Sequence, residues 1–281
     1  MNVRTKEKIA RIILWTAASI TVGFLFLIIG YIFKEGIGMI SLEFLLDKPR
    51  KMGAQGGIFP SIVGTLYLIA ATLLFAVPIG VGAAVYLNEY TREGKIIQLI
   101  RFGTEALAGI PSIIFGLFGF AFFVILLKPV TGGWSILSGS LTGAVMVLPT
   151  IVRTSEEALK TVPQSYREGS LALGASRWQT ISRVVLPAAI PGVLTGIILA
   201  IGRVVGETAA LLLTLGGTLL LPHSVFDGAR TMSMHLYMVA METGAMDMAF
   251  GTGVVLIVTI FIINTAAGIL RRKLELTSGR R

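Results

Sequence analysis

Cysteine is absent from this sequence of 281 residues, and only 14 % of the residues are charged. Without cysteine there can be no disulfide bond, and the redox compartment stays undetermined. The G-x-x-x-x-G-K-[ST] pattern of P-loops is also absent, so the chain cannot bind ATP by a P-loop. Any ATP-driven work therefore requires a partner. His223 and His235 are far apart and lack further ligands at metal spacing, so we predict no metal site.

What the sequence does contain is apolar stretches. Hydrophobic residues make up 54 % of the chain, and the mean hydropathy is +0.83, as expected of a membrane protein. The stretches are about 20 residues long and do not alternate in polarity, which favours membrane-spanning helices over barrel strands. The six predicted spans are Ile12–Phe33, Ile62–Leu87, Phe102–Leu127, Ile136–Val152, Ala188–Leu215 and Phe250–Leu270.

The first span, 12–33, is expected to remain as an anchor. Its apolar run is too long for a cleaved signal peptide, and no small-residue cleavage site precedes Lys34. Most of the 24 Lys and Arg fall in segments on one side of the six spans. This distribution predicts that residues 1–11, the segment 161–187 and the tail 271–281 are cytoplasmic. The net charge of +9 mostly reflects this asymmetry, so no nucleic-acid partner is implied.

The longest polar interruption in the middle of the chain is Tyr166–Pro187. It predicts two short helices joined at Gly174, which can adopt the left-handed conformation that ends a helix. Ser176 and Gln179 have the spacing of a capping box. Pro187 is expected to start the next apolar segment. The second helix is predicted to carry Trp178, Ile181, Val184 and Val185 on one face, with Arg177, Thr180 and Arg183 turned away. An amphipathic connector lying on the membrane surface is the alternative.

Two prolines lie inside predicted spans. Pro78 in the second span and Pro111 in the third each remove a backbone hydrogen bond and are expected to kink their helices. The glycines that follow Pro111 make the third span easy to bend. A pore-lining helix that moves and a kinked packing helix are both compatible with these residues.

The fifth span contains a charged motif, Gly202 to Thr208. Arg203 lies near the middle of Ala188–Leu215, where a charge is costly. Glu207 follows four residues later, which predicts that both lie on one helical face and partly neutralise each other. A guanidinium offers a planar fork of donors that fits phosphate or sulfate. We therefore predict a substrate pathway at Arg203, Glu207 and Thr208, with a purely structural ion pair as the alternative.

The polar interruption also resembles a known motif. Glu168, Gly174 and the run Val184, Leu186, Pro187 match the spacing of the EAA loop of bacterial ABC-importer permeases. Gly169 and Ser170 stand where that motif has two alanines, and Val184 replaces isoleucine. The segment around Pro78 and the run G-I-P-S-I-I-F-G-L-F-G at Pro111 are similar to segments of these permeases. The whole chain resembles the A-type permease subunits of bacterial phosphate-specific ABC importers.

This resemblance implies an all-α, six-span importer permease of the MetI-like fold, with a permease domain over 62–270. The resemblance implies that the chain has no enzymatic activity. It implies instead that the chain forms half of the translocation pathway of an ATP-driven phosphate importer in the bacterial inner membrane. The implied partners are a second related permease, two ATPase subunits that hold ATP and Mg, and an extracytoplasmic phosphate-binding protein. This chain would hold no cofactor. The implied ATPase-coupling residues are Glu168, Gly174, Trp178 and Pro187.

Three other functions are compatible with parts of the sequence. A sulfate or molybdate importer permease would share the loop and the arginine. A secondary transporter would be favoured by internal repeats, and none is convincing. An intramembrane enzyme acting on lipid phosphates would need several converging polar groups, whereas only Arg203 and Glu207 qualify.

Overall fold

The computed structural model describes residues 3–91 and 94–277, and these residues are mostly helical. Five helices are long and apolar enough to cross a membrane, and a bent helix pair makes a sixth candidate. The predicted all-α membrane architecture is therefore confirmed, with five or six candidate spans among the described residues. The helices are α1 Val3–Gly36, α2 Leu42–Leu46, α3 Phe59–Val85, α4 Lys95–Ala108, α5 Ser112–Gly119, α6 Lys128–Thr131, α7 Ile136–Lys160, α8 Gln164–Ala172, α9 Arg177–Thr180, α10 Leu186–Gly206, α11 Ala209–Thr214, α12 Met232–Met238 and α13 Met246–Thr277.

Short π-helical turns extend several of these helices. They cover Tyr86–Tyr90 after α3, Phe120–Leu126 after α5, Ile181–Val185 between α9 and α10, and Val239–Thr243 after α12. A two-residue hairpin pairs β1 (Pro49–Arg50) with β2 (Gln55–Gly56) in the first loop. The same loop holds the short helix α2, which the Ser41 side chain caps.

The first span lies at the periphery of the fold. It forms most of α1, whose most apolar stretch buries no residue against the rest of the chain. It packs on α13, where Tyr31 contacts Phe250 edge to face at 5.6 Å between ring centroids. Gly36 lies against the backbone carbonyl group of Phe250. This helix therefore presents nearly all of its apolar surface outward, as suits contact with lipid.

Helices α3, α7 and α10 form the centre of the fold. Small residues bring them together: a Cβ on Gly80 of α3 would lie 2.6 Å from Ile151 Cγ2 of α7. Gly192 of α10 lies against Ala158, and Gly196 lies against Thr154. Gly192 and Gly196 have the G-x-x-x-G spacing of close helix contacts, and they make that contact between α10 and α7.

The third predicted span, Phe102–Leu127, bends at Pro111 as predicted, but the bend is a complete break between two helices. The chain breaks after α4 and resumes at Ser112, and the two helices meet at 102°. Pro111 explains the break, since it cannot donate to the preceding turn and disfavours helical backbone at Ile110. Pro78, by contrast, lies inside a continuous helix from Phe59 to Tyr90, and a kink there stays a prediction.

The segment between the fifth and sixth predicted spans contains a helix, α12, whose first turn is buried. The Thr231 side chain caps α12 by accepting a hydrogen bond from the Met234 N–H. The buried first turn of α12 packs between α3 and α13. Burial of its apolar methionine side chains away from water is favourable. His235 in this helix is fully buried, and burial followed by the charge of Arg230 lowers the pKa of His235 to about 4.

Candidate functional site

The polar interruption forms a helical hairpin, here called the coupling hairpin and defined as residues 164–185. Gly174 has φ +83 between α8 and α9, so the predicted left-handed residue is confirmed. The predicted capping box is also present: the Gln179 N–H donates to Ser176 Oγ, and the Ser176 N–H donates to Gln179 Oε1 at 2.8 Å. Local hydrogen bonding therefore determines this turn.

Contrary to the prediction, the second arm of the coupling hairpin is not a separate short helix. It continues through the π turn Ile181–Val185 and through Pro187 into α10, giving one helix from Arg177 to Gly206. Pro187 has no N–H to give to the Arg183 carbonyl group, and the wider turn before it accommodates that loss. Pro187 therefore lies within a continuous rod that links the hairpin to the fifth span.

The faces of the second arm differ in part from the prediction. Ile181 and Val185 are buried as expected, but Trp178 is 64 % exposed. Thr180, predicted to point away, is buried instead and shares a hydrogen bond of 2.9 Å with Ser170. Burial costs Thr180 little because its hydroxyl group has this partner. Trp178 extends into space that the described part of the chain does not fill.

The outward side of the coupling hairpin carries three of the predicted ATPase-coupling residues. Glu168, Gly174 and Trp178 are all exposed. Apart from Gly174 and its two chain neighbours, no atom of the described residues lies within 4 Å of a Cβ placed on Gly174. The hairpin thus presents a carboxylate, a tight turn and an indole ring to whatever lies beyond this chain.

The inward side carries an ion pair that the sequence argument missed. Arg167, next to Glu168, donates from Nη2 to Glu89 Oε1 at 2.6 Å and from Nε to Oε2 at 3.2 Å. Glu89 lies in the π turn that ends α3. The available sequence signal was an acidic residue at the end of a span beside a basic loop, but such a pattern does not identify the partner.

Arg203 and Glu207 do not form the predicted helical pair. Arg203 lies in the last turn of α10, which ends at Gly206, and Glu207 has an extended backbone with ψ 133. No ion pair joins them among the residues in the two described ranges. The predicted fifth span to Leu215 is thus wrong as one helix, since it breaks at Glu207–Thr208 before α11.

Glu207 instead stabilises the break. Its carboxylate accepts a hydrogen bond from the Ala210 N–H at 3.1 Å, at the start of α11. Its backbone carbonyl group accepts from Ser233 Oγ at 2.7 Å. Glu207 therefore caps one helix and ties the break to α12, which is why its carboxylate does not reach Arg203.

Arg203 remains on the open side of α10. Its side chain is exposed, and Thr208 is half-buried at the break. Cβ atoms placed on Gly202 and Gly206 would meet no atom within 4 Å in the described part of the chain. The predicted pathway residues are thus near one another in the chain, at a place where this subunit leaves space. A guanidinium in such a position can bind an oxyanion through two parallel N–H groups.

No group of three or more possible metal ligands occurs among residues 3–91 and 94–277. His223 is exposed, whereas His235 is buried. Neither ring nitrogen of His235 has a hydrogen-bond partner within the described ranges. The two histidines therefore do not share a site.

The chain is similar in sequence to known membrane transport proteins. Residues 76–276 match the family described as "Binding-protein-dependent transport system inner membrane component". A probable ABC transporter permease, YqgI of Bacillus subtilis, is 36 % identical over 95 % of both chains. The phosphate transport system permease protein PstA 1 of Mycobacterium tuberculosis H37Rv is 35 % identical over 77 % of this chain and 70 % of that protein. PstA of Pasteurella multocida is 37 % identical over 64 % of this chain and 63 % of that protein.

Solved structures show the same fold. A chain of the bacterial ABC transporter for alginate import has a TM-score of 0.66 at 18 % identity, covering 96 % of this chain and 99 % of that one. A chain of the MetNI methionine ABC transporter in an inward-facing conformation has a TM-score of 0.61 at 21 % identity, covering 75 % and 93 %. The predicted importer-permease fold is confirmed.

Proposed function

The chain belongs to the family of inner-membrane components of binding-protein-dependent transport systems, and on that basis we propose that it is a permease subunit of an ATP-driven importer of inorganic phosphate. As a family member it is a multi-pass membrane protein and a transport component rather than an enzyme. The proposal that the substrate is phosphate rests on the 35–37 % identity to several phosphate permeases named PstA.

Arg203 is the proposed contact for the permeating anion. Gly196 contacts α7, and Arg203 follows it by seven residues. Arg203 therefore lies about 10 Å further along the axis of α10. It is exposed beside the break at Glu207–Thr208, with glycines on either side. The guanidinium fork supplies positive charge and paired donors, and the Thr208 hydroxyl group adds a third donor to the same region. A second, related permease would close the pathway opposite this surface.

The coupling hairpin is the proposed contact for the ATPase. Glu168, Gly174 and Trp178 would meet the ATPase surface, and Pro187 lies in the rod that continues to Arg203. Displacement of the hairpin would then move the pathway end of α10. In this proposal two partner ATPases hold ATP and Mg, and this chain holds no cofactor.

The remaining partners follow from the same proposal. An extracytoplasmic phosphate-binding protein would deliver the anion to the face opposite the hairpin. Both chain termini would lie on the cytoplasmic side with the hairpin, as the distribution of Lys and Arg indicates.

Two measurements test this function. The tagged chain is purified in mild detergent, and we expect an ATPase and a second permease to co-purify with it. Phosphate uptake is then measured in a strain that lacks the gene, where the restored gene should return uptake. Assembly with restored sulfate or molybdate uptake instead of phosphate would assign the chain to another oxyanion importer. Purification without an ATPase would contradict the whole assignment.

A further inference from the structure

Glu89 joins the second span to the coupling hairpin, and it belongs neither to the proposed anion contact nor to the proposed ATPase contact. It lies in the π turn at the end of α3 and is only 8 % exposed. Its two carboxylate oxygens each accept one hydrogen bond from Arg167, at 2.6 and 3.2 Å. Asn88 Nδ2 donates to the same carboxylate at 2.8 Å. Bidentate arginine–carboxylate contacts of this kind fix orientation as well as distance.

Arg167 also holds the end of a third helix. Its Nη1 donates to the Val162 carbonyl group at 2.9 Å, and its Nη2 donates to the Leu159 carbonyl group at 3.1 Å. Helix α7 ends at Lys160, so the carbonyl groups of its last turn have no donor within the helix. One guanidinium therefore ties the hairpin to the ends of both α3 and α7.

The other arm of the hairpin reaches the same place. Arg177, the first residue of α9, donates from Nη2 to the Glu89 backbone carbonyl group. Its guanidinium lies over the Tyr90 ring, 5.3 Å from the centroid, where the ring face attracts a cation. Both arms of the hairpin thus contact the last turn of the second span, although 78 residues separate Glu89 from Arg167 in the chain.

This contact matters because the two neighbouring spans connect to the hairpin differently. The fifth span continues from the hairpin as one helix, Arg177–Gly206, so the backbone itself carries any movement. The second span has no such covalent link to it. Only non-covalent contacts can make α3 follow the hairpin, and a buried charge pair resists separation because each charge would be left unpaired.

We propose that Glu89 is a positioning residue that, through Arg167 and Arg177, makes the second span move together with the coupling hairpin. The proposal rests on the proposed function, since the movement originates in a bound ATPase. Beneath the ion pair, Val85 of α3 and Leu159 of α7 belong to the same buried apolar cluster as Ile181 of the hairpin. That cluster holds the three elements together, and the charge pair sets their register.

The test uses the complete complex in proteoliposomes, with a phosphate-loaded binding protein outside. The quantity measured is phosphate imported per ATP hydrolysed, because a loss of assembled complex alone leaves this ratio unchanged. Glu89→Gln keeps the side-chain shape but removes the charge, and we expect the ratio to fall by about fivefold or more. Arg167→Lys keeps the charge but loses the fork, so we expect a smaller fall in the same direction.

The matched control is Glu157→Gln. Glu157 forms an ion pair with Arg153 at 3.3 Å in which both side chains are exposed. Exposed pairs contribute little, so this variant should keep the wild-type ratio. Arg167→Met is also measured alone, and the double variant Glu89→Gln/Arg167→Met should lose no more than the worse of its two single variants, because residues acting as one unit are not additive.

A wild-type ratio in assembled Glu89→Gln complex would overturn the inference, as would single effects that multiply in the double variant. If Glu89→Gln does not assemble, a wild-type ratio in Arg167→Lys would overturn it equally. These outcomes leave the proposed function standing, because the wild-type complex still imports phosphate. If the wild-type complex imports none, the proposed function fails and this inference fails with it.

Discussion

Arg203 is the residue on which the proposed substrate contact depends. It is exposed in the last turn of α10, beside two glycines that no other described part of the chain approaches. Arg203→Gln should lower phosphate uptake by at least about tenfold, because the charged hydrogen bonds to the anion are lost. Arg203→Lys should restore part of the uptake, since it keeps the charge without the planar fork.

The measurement for Arg203 is labelled phosphate uptake in cells, normalised to assembled complex. Lys34→Gln serves as the control, since that side chain is also exposed and lies far along the chain at the end of α1. Uptake by Arg203→Gln equal to that of the control would exclude Arg203 from the pathway.

Glu207 has a role separate from that of Arg203. Its carboxylate accepts from the Ala210 N–H and so caps the start of α11. Glu207→Leu removes this acceptor and should lower the free energy of unfolding by about 1 kcal/mol. Glu207→Gln keeps an oxygen in the same place and should retain most of the stability. Thermal unfolding of the purified subunit in detergent measures both, and equal losses for the two variants would rule out the capping role.

At the scale of elements, the coupling hairpin depends on one backbone conformation. Gly174 has φ +83, and there is open space around it. Gly174→Val is therefore opposed by backbone conformation rather than by crowding, at a cost of about 1–2 kcal/mol. We expect the variant to insert and assemble but to lose stimulation of ATP hydrolysis by the loaded binding protein.

Gly169→Ala is the control for Gly174. It lies in α8, where a Cβ would also meet open space, and alanine favours a helix by about 1 kcal/mol over glycine. Stimulated hydrolysis should therefore be retained. Normal stimulation in Gly174→Val as well would show that the shape of this turn does not matter for coupling.

The packing of α3 on α7 offers a second test at this scale. A Cβ on Gly80 would lie 2.6 Å from Ile151 Cγ2, whereas a Cβ on Gly82 would meet nothing within 4 Å in the described ranges. Gly80→Ala should lower the free energy of unfolding by about 1–3 kcal/mol, because Ile151 is fully buried and cannot move aside. Gly82→Ala should be neutral or slightly stabilising. The two unfolding temperatures in detergent give the answer, and a stable Gly80→Ala variant would contradict the observed packing.

At the scale of the whole molecule, we predict that the coupling hairpin and the loop around residue 224 lie on opposite sides of the membrane, because the fifth span separates them in the chain. The chain has no cysteine, so single substitutions report without background. Ser224→Cys should react with an impermeant thiol reagent in intact cells, and Ser165→Cys should react only after lysis. Both serines are exposed in this structure. Labelling of Ser165→Cys from outside would reverse the proposed orientation.

The sequence by itself determined the features that depend on local chemistry. Apolar runs long enough to cross a bilayer predicted the spans, since composition alone decides whether a segment favours lipid. Gly174 and the Ser176–Gln179 pair predicted the hairpin turn, since their conformation and hydrogen bonds involve only neighbours in the chain. The EAA-like spacing resembled that of importer permeases, and the family match over residues 76–276 confirms the resemblance.

Only the tertiary structure decided the features that depend on distant partners. The break at Glu207 is held by Ser233 from a later helix, so helical periodicity could not reveal that Arg203 and Glu207 are apart. The first turn of the helix from Met232 is buried because α3 and α13 cover it, which its composition did not specify. Glu89 meets Arg167 because the ends of α3 and α7 converge on the hairpin. A charge acts according to what lies beside it in space, and the order of residues alone does not give that neighbour.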